Sequence, residues 1–230
     1  MNGSIIVITG AFGALGSALA RHLDALGARL VLIDAAPAVP DSLFDVFEPH
    51  RVLTGVDLTS PEATAAAMAK VVERFSPIDG VVNVAGGFAW ETVADGALAT
   101  WDAMYAANVR TAFNVCHAAL PHLRSEGGRI VNVGAHAASR AATGMAAYAA
   151  AKSGVLRLTE GLADELKDRG ITVNAVLPGI IDTPANRAAM PDADRSRWVT
   201  PHAIAAVIAF LLSDDAQPIT GAGIPVTGRL

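Results

Sequence analysis

An α/β fold built on a doubly wound parallel sheet is predicted by three features of the chain. Short apolar runs alternate with long Ala-rich segments. The runs are apolar throughout, as strands covered on both faces are. The first run ends in a glycine-rich turn that opens a helix. Alternating β and α elements joined by right-handed crossovers place helices on both faces of the sheet, a three-layer αβα arrangement.

The strand candidates, about seven in number, are Ser4–Thr9, Arg29–Ile33, Arg51–Thr54, Gly80–Val84, Arg129–Val133, Thr172–Val176 and Gly223–Val226, most of them bounded by Gly, Asp or Pro. Helices are expected near Gly13–Leu26, Pro61–Phe75, Thr100–Leu123, Met145–Asp168 and Pro201–Leu212. Ser60-Pro61 and Thr200-Pro201 each place a capping hydroxyl before a proline at the first helical position, and Gly27 and Gly170 stand as helix stops. The segment between Asp34 and Arg51 holds Pro37, Pro40 and Pro49 and leaves little room for a helix.

At 230 residues, 52% hydrophobic and 17% charged, with no linker or charge block, the chain is expected to form one domain, 1–230. A net charge of -5 argues against a nucleic-acid partner. Cys116 stands alone, which suits a reducing compartment. No apolar run reaches the roughly 18 residues of a membrane span. The N-terminal apolar stretch has no basic region ahead of it and reads as a first strand, not a signal peptide. A cytoplasmic protein without a membrane or metal partner is the expectation.

Thr9-Gly10-Ala11-Phe12-Gly13-Ala14-Leu15-Gly16 joins the first strand to the first helix. Glycines there permit a tight turn and close backbone approach to a pyrophosphate, and the helix N-terminus supplies free N–H groups. Asp34 follows Gly16 by eighteen residues, at the end of the second strand. A carboxylate at that place accepts hydrogen bonds from ribose hydroxyls and repels an added phosphate. With no Lys or Arg in the turn or soon after Asp34, NAD(H) is favoured over NADP(H). Asp57-Leu58 can hold an adenine edge. Asn83-Val84-Ala85-Gly86-Gly87 ends the fourth strand with small residues that let a flat ring approach the backbone.

Tyr148 and Lys152 stand four residues apart in an Ala-rich helix and share one face. An ammonium beside a phenol favours the phenolate and lowers the Tyr pKa, which suits proton transfer at working pH. The same spacing also describes a Tyr and a Lys on one side of an ordinary surface helix.

Taken together, the Thr9–Gly16 turn, Asp34, Asp57, Asn83-Val84-Ala85-Gly86, Asn108, Tyr148 with Lys152, and Pro178-Gly179-Ile180-Ile181-Asp182-Thr183 resemble the short-chain dehydrogenase/reductase family over nearly the whole chain. The resemblance implies a Rossmann-like, seven-stranded sheet and an NAD(P)-dependent oxidoreductase. It implies Tyr148 as proton donor, Lys152 as the group that binds the nicotinamide ribose and tunes Tyr148, and Asn108 as the holder of a relay water. Gly10, Phe12, Gly13, Ala14, Leu15, Gly16, Asp34, Asp57, Leu58, Asn83, Ala85 and Gly86 fall on the cofactor side. Pro178, Gly179, Ile181 and Thr183 fall near the nicotinamide, with Ile181 and Thr183 contacting its carboxamide. A homodimer or homotetramer is also implied, packed through the Ala-rich helices.

Two departures bear on chemistry. Ala14 stands where the family has a glycine, with Gly13 just before it. Ala135, thirteen residues before Tyr148, stands where the family has a serine whose hydroxyl polarises the substrate carbonyl. Alanine has no such donor. These departures, with Ala85-Gly86-Gly87-Phe88-Ala89, Gly134-Ala135-His136-Ala137-Ala138, Thr143-Gly144-Met145, and Asp182-Thr183-Pro184-Ala185-Asn186-Arg187 followed by Met190-Pro191-Asp192-Ala193-Asp194, resemble the dihydropteridine reductases. That branch reduces quinonoid dihydropterin with NADH and also lacks the serine.

Losing a donor to a developing oxyanion costs about two to three orders of magnitude in rate on a plain ketone. A quinonoid ring, already electrophilic, needs that donor less. The expected substrate is therefore a small molecule, a quinonoid dihydropterin or another conjugated carbonyl. Phe88 and Trp90 are placed to wall a flat ring, and Met190 and Trp198 fall in a segment that covers the substrate as a mobile lid in the family. His136 or Ser139 could instead replace the missing donor. The rivals are an alcohol dehydrogenase or 3-oxoacyl thioester reductase of the same family, and a non-catalytic NAD-sensing protein.

Overall fold

The structure is a computed structural model, and it describes residues 1–41 and 51–229. Seven strands form one parallel sheet in the order β3-β2-β1-β4-β5-β6-β7. They are β1 (Ile5–Thr9), β2 (Arg29–Ile33), β3 (Arg51–Leu53), β4 (Gly80–Asn83), β5 (Arg129–Val133), β6 (Thr172–Pro178) and β7 (Gly223–Val226). The helices are α1 (Ala14–Ala25), α2 (Pro61–Val72), α3 (Leu98–Tyr105), α4 (Thr111–Ala119), α5 (Ala146–Leu166), α6 (Pro184–Ala189) and α7 (Pro201–Leu211).

The unbroken apolar strands are accounted for by two cores. Ile6, Ile8, Leu30, Leu32, Val131 and Val176 face α1 and α7, meeting Leu19, Leu23, Ile204 and Ile208. Their neighbours Val7, Val31, Val81, Ile130 and Val173 face the opposite way, onto Met68 of α2, Val115 of α4, and Leu162 and Leu166 of α5. Because side chains alternate across a strand, β1, β2, β4, β5 and β6 each serve both cores.

The chain runs outward from β1 to β2 and β3, then returns to β4 on the other side of β1. The crevice between β1 and β4 is thus the switch point at which such sheets bind ligands, outside the carboxyl ends of the strands.

Two expectations need correcting. The single helix over 100–123 is three pieces: α3, a π turn at Ala106–Arg110, and α4, which ends in a 3₁₀ turn at Leu120–His122. Within it the Asn108 amide donates to Met104 O at 2.9 Å and the Thr111 hydroxyl donates to Ala107 O at 2.7 Å. Side chains that bond the preceding turn widen a helix locally, and Pro121 has no N–H to continue it. Helix α6 was not expected, although Thr183-Pro184 repeats the signal at Ser60-Pro61 and Thr200-Pro201. All three hydroxyls accept the capping N–H, from Ala63, Asn186 and Ala203. The expectation that the segment between Asp34 and Arg51 leaves little room for a helix falls largely on residues 42–50, which lie outside the described residues. Among the described residues, no helix is long and apolar enough to cross a membrane.

Candidate active site

Every sequence-predicted site element lies at the carboxyl edge of the sheet. At the end of β1, Gly10 has φ +62°, and a Cβ there would lie 2.8 Å from the Ala85 backbone. The ends of β1 and β4 thus touch main chain to main chain, and the Ala85 N–H donates to the Thr9 hydroxyl at 3.2 Å. A Cβ on Gly16 would lie 2.2 Å from Gly10 O, so α1 can seat on the turn only with glycine there. Gly13 meets nothing closer than 3.5 Å and Ala14 is exposed. The alanine that departs from the family pattern is therefore accommodated without strain. Gly13 caps α1 with no side-chain bond, and no acid stands in the first turn, so the N–H groups of Ala14, Leu15 and Gly16 present a partial positive charge suited to an anion.

Asp34 leaves β2 and turns back to this helix. Its Oδ2 accepts from Phe12 N at 2.9 Å and its Oδ1 from Ala36 N at 3.0 Å. Each oxygen keeps a further lone pair for a hydroxyl donor. Asp57 is exposed, and its Oδ1 accepts from both the Thr59 hydroxyl and the Thr59 N–H, which hold the carboxyl below its ordinary range. The Leu58 side chain is in the core, and its carbonyl already accepts from Asn114 and Thr64.

Asn83 is buried under the switch point, donating to Asn132 Oδ1 at 2.9 Å and to Cys116 Sγ at 3.3 Å, while its own Oδ1 has no partner. Asn132 passes the line on to the Thr159 hydroxyl of α5 at 2.9 Å. Sequence reading missed Asn132 and Thr159; the one polar residue inside Arg129-Ile130-Val131-Asn132-Val133 was the available signal.

Beside Gly86 lies a small volume bounded by polar groups. A Cβ on Gly86 would lie 2.7 Å from Asn108 Oδ1 and 3.3 Å from Lys152 Nζ. Glycine keeps that small polar volume open. Lys152 is buried and donates one N–H to Val133 O at 2.8 Å, which leaves two donors. Burial lowers its pKa to about 8. Asn108 holds Gly87 at both ends, accepting from its N–H at 3.3 Å and donating to its carbonyl at 3.1 Å.

Tyr148 stands in the first turn of α5, with the Lys152 ammonium 5.9 Å from its ring centroid. The expectation of a lowered phenol pKa is corrected: burial pushes Tyr148 up to about 12. Desolvation of the phenolate sets this shift, while the Lys152 ammonium gives one N–H to a carbonyl. Tyr148 is thus a fully protonated donor at neutral pH.

Ala135 is buried, two residues past the Val133 carbonyl that accepts from Lys152, whereas His136 and Ser139 are exposed. Phe88 packs edge-on to Tyr148, with centroids 5.0 Å apart and planes at 80°. Pro178 ends β6, and Gly179 N donates to Val226 O at 3.2 Å. Ile181 pairs with Val199 in an isolated bridge, and Thr183 caps α6 while keeping its own hydroxyl proton to donate. The lid expectation for Trp198 is corrected: it is buried at 7% exposure, behind this bridge, and the Arg197 guanidinium beside it donates to Arg229 O. Met190 ends α6.

The family model described as Enoyl-(Acyl carrier protein) reductase matches residues 10–228. The D-beta-hydroxybutyrate dehydrogenase of Rhizobium meliloti (strain 1021) is 31% identical, over 96% of this chain and 96% of that protein. A short-chain dehydrogenase/reductase from Serratia marcescens BCRC 10948 superposes with a TM-score of 0.90 at 32% identity, covering 99% of this chain and 97% of its own. A blue fluorescent protein from a metagenomic library, solved in complex with NADPH, superposes with a TM-score of 0.85 at 32% identity, covering 99% and 97%.

Proposed function

The chain belongs to the short-chain dehydrogenase/reductase family of nicotinamide-dependent oxidoreductases, and from that premise we propose that it uses NADH, with Tyr148 as acid, to reduce a planar conjugated acceptor. A quinonoid dihydropterin is the acceptor that its motif pattern favours, and the chain from 1 to 230 acts as one unit. The observation that carries this reading is Ala135, buried two residues past the Val133 carbonyl that accepts from Lys152, at the position where the resemblance puts the family's second hydroxyl.

Bound reduced nicotinamide supplies a hydride, an electron pair with its proton, to the acceptor. The remaining work falls to the chain. The α1 N-terminus and the Gly10–Gly16 turn bind the pyrophosphate, Asp34 takes the adenosine ribose, and Lys152 with its two remaining N–H groups takes the nicotinamide ribose. Thr183 and Ile181 orient the carboxamide. Tyr148 gives its phenolic proton to the acceptor heteroatom, and the phenolate is stabilised by the ammonium of Lys152. Asn108, in the π turn, holds the water that returns a proton. With both Asn108 N–H groups given to the carbonyls of Gly87 and Met104, that water is held by an acceptor of residue 108.

Asp34 sets the cofactor preference in this reading. Asp34→Ala is expected to raise KM for NADH about tenfold and to narrow discrimination against NADPH by a similar factor, since a charge-assisted hydrogen-bond pair and a phosphate repulsion both disappear. Steady-state kinetics with both reductants check this, and an unchanged ratio of kcat/KM values refutes the ribose role.

Ala135→Ser tests the substrate argument from the other side. A hydroxyl restored at 135 is expected to raise kcat on a simple ketone at least tenfold and to change turnover of a quinonoid acceptor less than threefold, because only the ketone needs the extra donor. Equal wild-type efficiency on both substrates favours the rival alcohol dehydrogenase or 3-oxoacyl thioester reductase, with His136 or Ser139 as donor. A non-catalytic NAD sensor remains the reading from another class, and the Tyr148 variant described below discriminates it.

A further inference from the structure

Phe88 and Trp90 are among the most exposed aromatic residues of the chain, at 59% and 61%, yet the segment that carries them is fixed at both ends. At one end the Asn108 side chain holds the N–H and the carbonyl of Gly87. At the other, Glu91 N donates to Gly144 O at 2.8 Å. Past that point the chain is stitched to itself, with Ala97 N donating to Glu91 Oε2 and the Thr92 hydroxyl to Asp95.

Between the two pins, Phe88 turns its ring edge-on to Tyr148. Trp90 lies on Gly144. A Cβ at 144 would be 2.1 Å from Trp90 Cε2, 2.3 Å from Nε1 and 2.6 Å from Cδ2. Cε2 is a ring-fusion atom surrounded by its bonded neighbours in the plane, so an approach that close comes from the face of the indole. One face of Trp90 is thus seated on a bare Cα, and the ring is otherwise open to solvent. Gly144 also has φ +74°, a backbone that favours glycine.

We propose that Gly144 is a specificity-determining position: by seating the indole of Trp90 it holds Trp90 and Phe88 as a rigid aromatic wall beside Tyr148 that selects flat, conjugated rings over small flexible ketones. The proposal rests on the acid role of Tyr148 given above and adds the device that chooses its substrate. Phe88 is the substrate-contacting member, and Trp90 and Gly144 are positioning residues. A preformed aromatic face binds a planar ring without the entropy of ordering loose side chains. An exposed indole with no seat would have to be ordered on each binding event.

The test uses Trp90→Ala and Gly144→Asn. Asn tolerates positive φ, so Gly144→Asn keeps the backbone and displaces only the indole. With NADH, each variant is expected to raise KM for 1,2-naphthoquinone about tenfold with kcat within twofold, and to leave KM for ethyl acetoacetate within twofold. Trp90→Phe is expected to recover most of the naphthoquinone KM. If Gly144→Asn does not fold, Trp90→Ala and its Phe rescue decide alone. Equal changes with both acceptors, or a wild-type naphthoquinone KM in Trp90→Ala, overturn the proposal. Should the wild type turn over neither acceptor, the acid role of Tyr148 fails. The wall is then judged by calorimetric binding of 1,2-naphthoquinone in the presence of NAD, where equal affinity for wild type and Trp90→Ala overturns it.

Discussion

Replacing Tyr148 by Phe is expected to lower kcat for reduction by roughly two to four orders of magnitude, the span of a positioned general acid. The affinity for NADH should change less than about threefold. Phenylalanine keeps the ring and its edge-on contact with Phe88 and removes only the hydroxyl. Because burial holds the phenol protonated, with a pKa of about 12, wild-type Tyr148 carries its proton across the whole neutral range. No loss of rate on the acid side is therefore expected from Tyr148 itself. Single-turnover oxidation of bound NADH reads the effect. An enzyme whose Tyr148→Phe form matches the wild type uses another acid, and a chain that oxidises NADH with no acceptor in either form is the NAD sensor.

Lys152→Met is expected to be nearly as damaging, in a different way. It removes the donors to the nicotinamide ribose and the positive charge that stabilises the phenolate, so KM for NADH should rise at least tenfold and kcat should fall about a hundredfold. The pH profile separates Lys152 from a merely structural residue. Burial lowers its pKa from 10.5 to about 8, and kcat/KM reports groups of the free enzyme. Wild-type kcat/KM should therefore fall as pH rises through about 8, and the Lys152→Met profile should be flat there.

Linkage gives an independent check on Lys152. Between about 8 and 10.5 the unfolded chain holds the Lys152 proton and the folded chain does not, so this residue makes stability rise with pH across that window. Tyr148 acts in the opposite sense above it: its folded pKa is raised from 10.0 to about 12, so stability falls as pH rises between those values. Denaturant midpoints measured from pH 7 to 10 should show the first slope in the wild type and lose it in Lys152→Met.

The architecture and the cofactor edge were legible because their causes are local. Short, mainly apolar runs bounded by Gly, Asp or Pro read as strands covered on two faces, and Gly10 and Gly16 occupy positions where any Cβ meets main chain within 3 Å. Asp34, Tyr148 and Lys152 followed from spacing along single elements. What was not legible depends on contacts between distant segments. The π turn arises from side chains of Asn108 and Thr111 that bond back to carbonyls, which a helix-forming sequence does not announce. The raised phenol pKa of Tyr148 reflects burial by elements far apart in sequence and reverses an argument made from the i, i+4 pair alone. Trp198 sits in a segment of Pro, Asp and Arg that reads as an exposed lid, yet it is buried, next to Val199, which bridges to Ile181. Thr143-Gly144-Met145 entered only as part of a family pattern, and the seat that Gly144 gives the Trp90 indole depends on a contact between distant segments.

In the proposed reaction Tyr148 delivers a proton during hydride transfer to a conjugated acceptor without help from residue 135. Single-turnover oxidation of NADH and of NADH deuterated at the transferred position, each against quinonoid dihydropterin and against ethyl acetoacetate, tests it most directly. Fast turnover of the dihydropterin with a primary isotope effect is expected, with a rate at least a hundredfold lower for the ketone and both reactions suppressed in Tyr148→Phe. Equal rates for the two acceptors in the wild type, or a dihydropterin rate untouched by Tyr148→Phe, would contradict it.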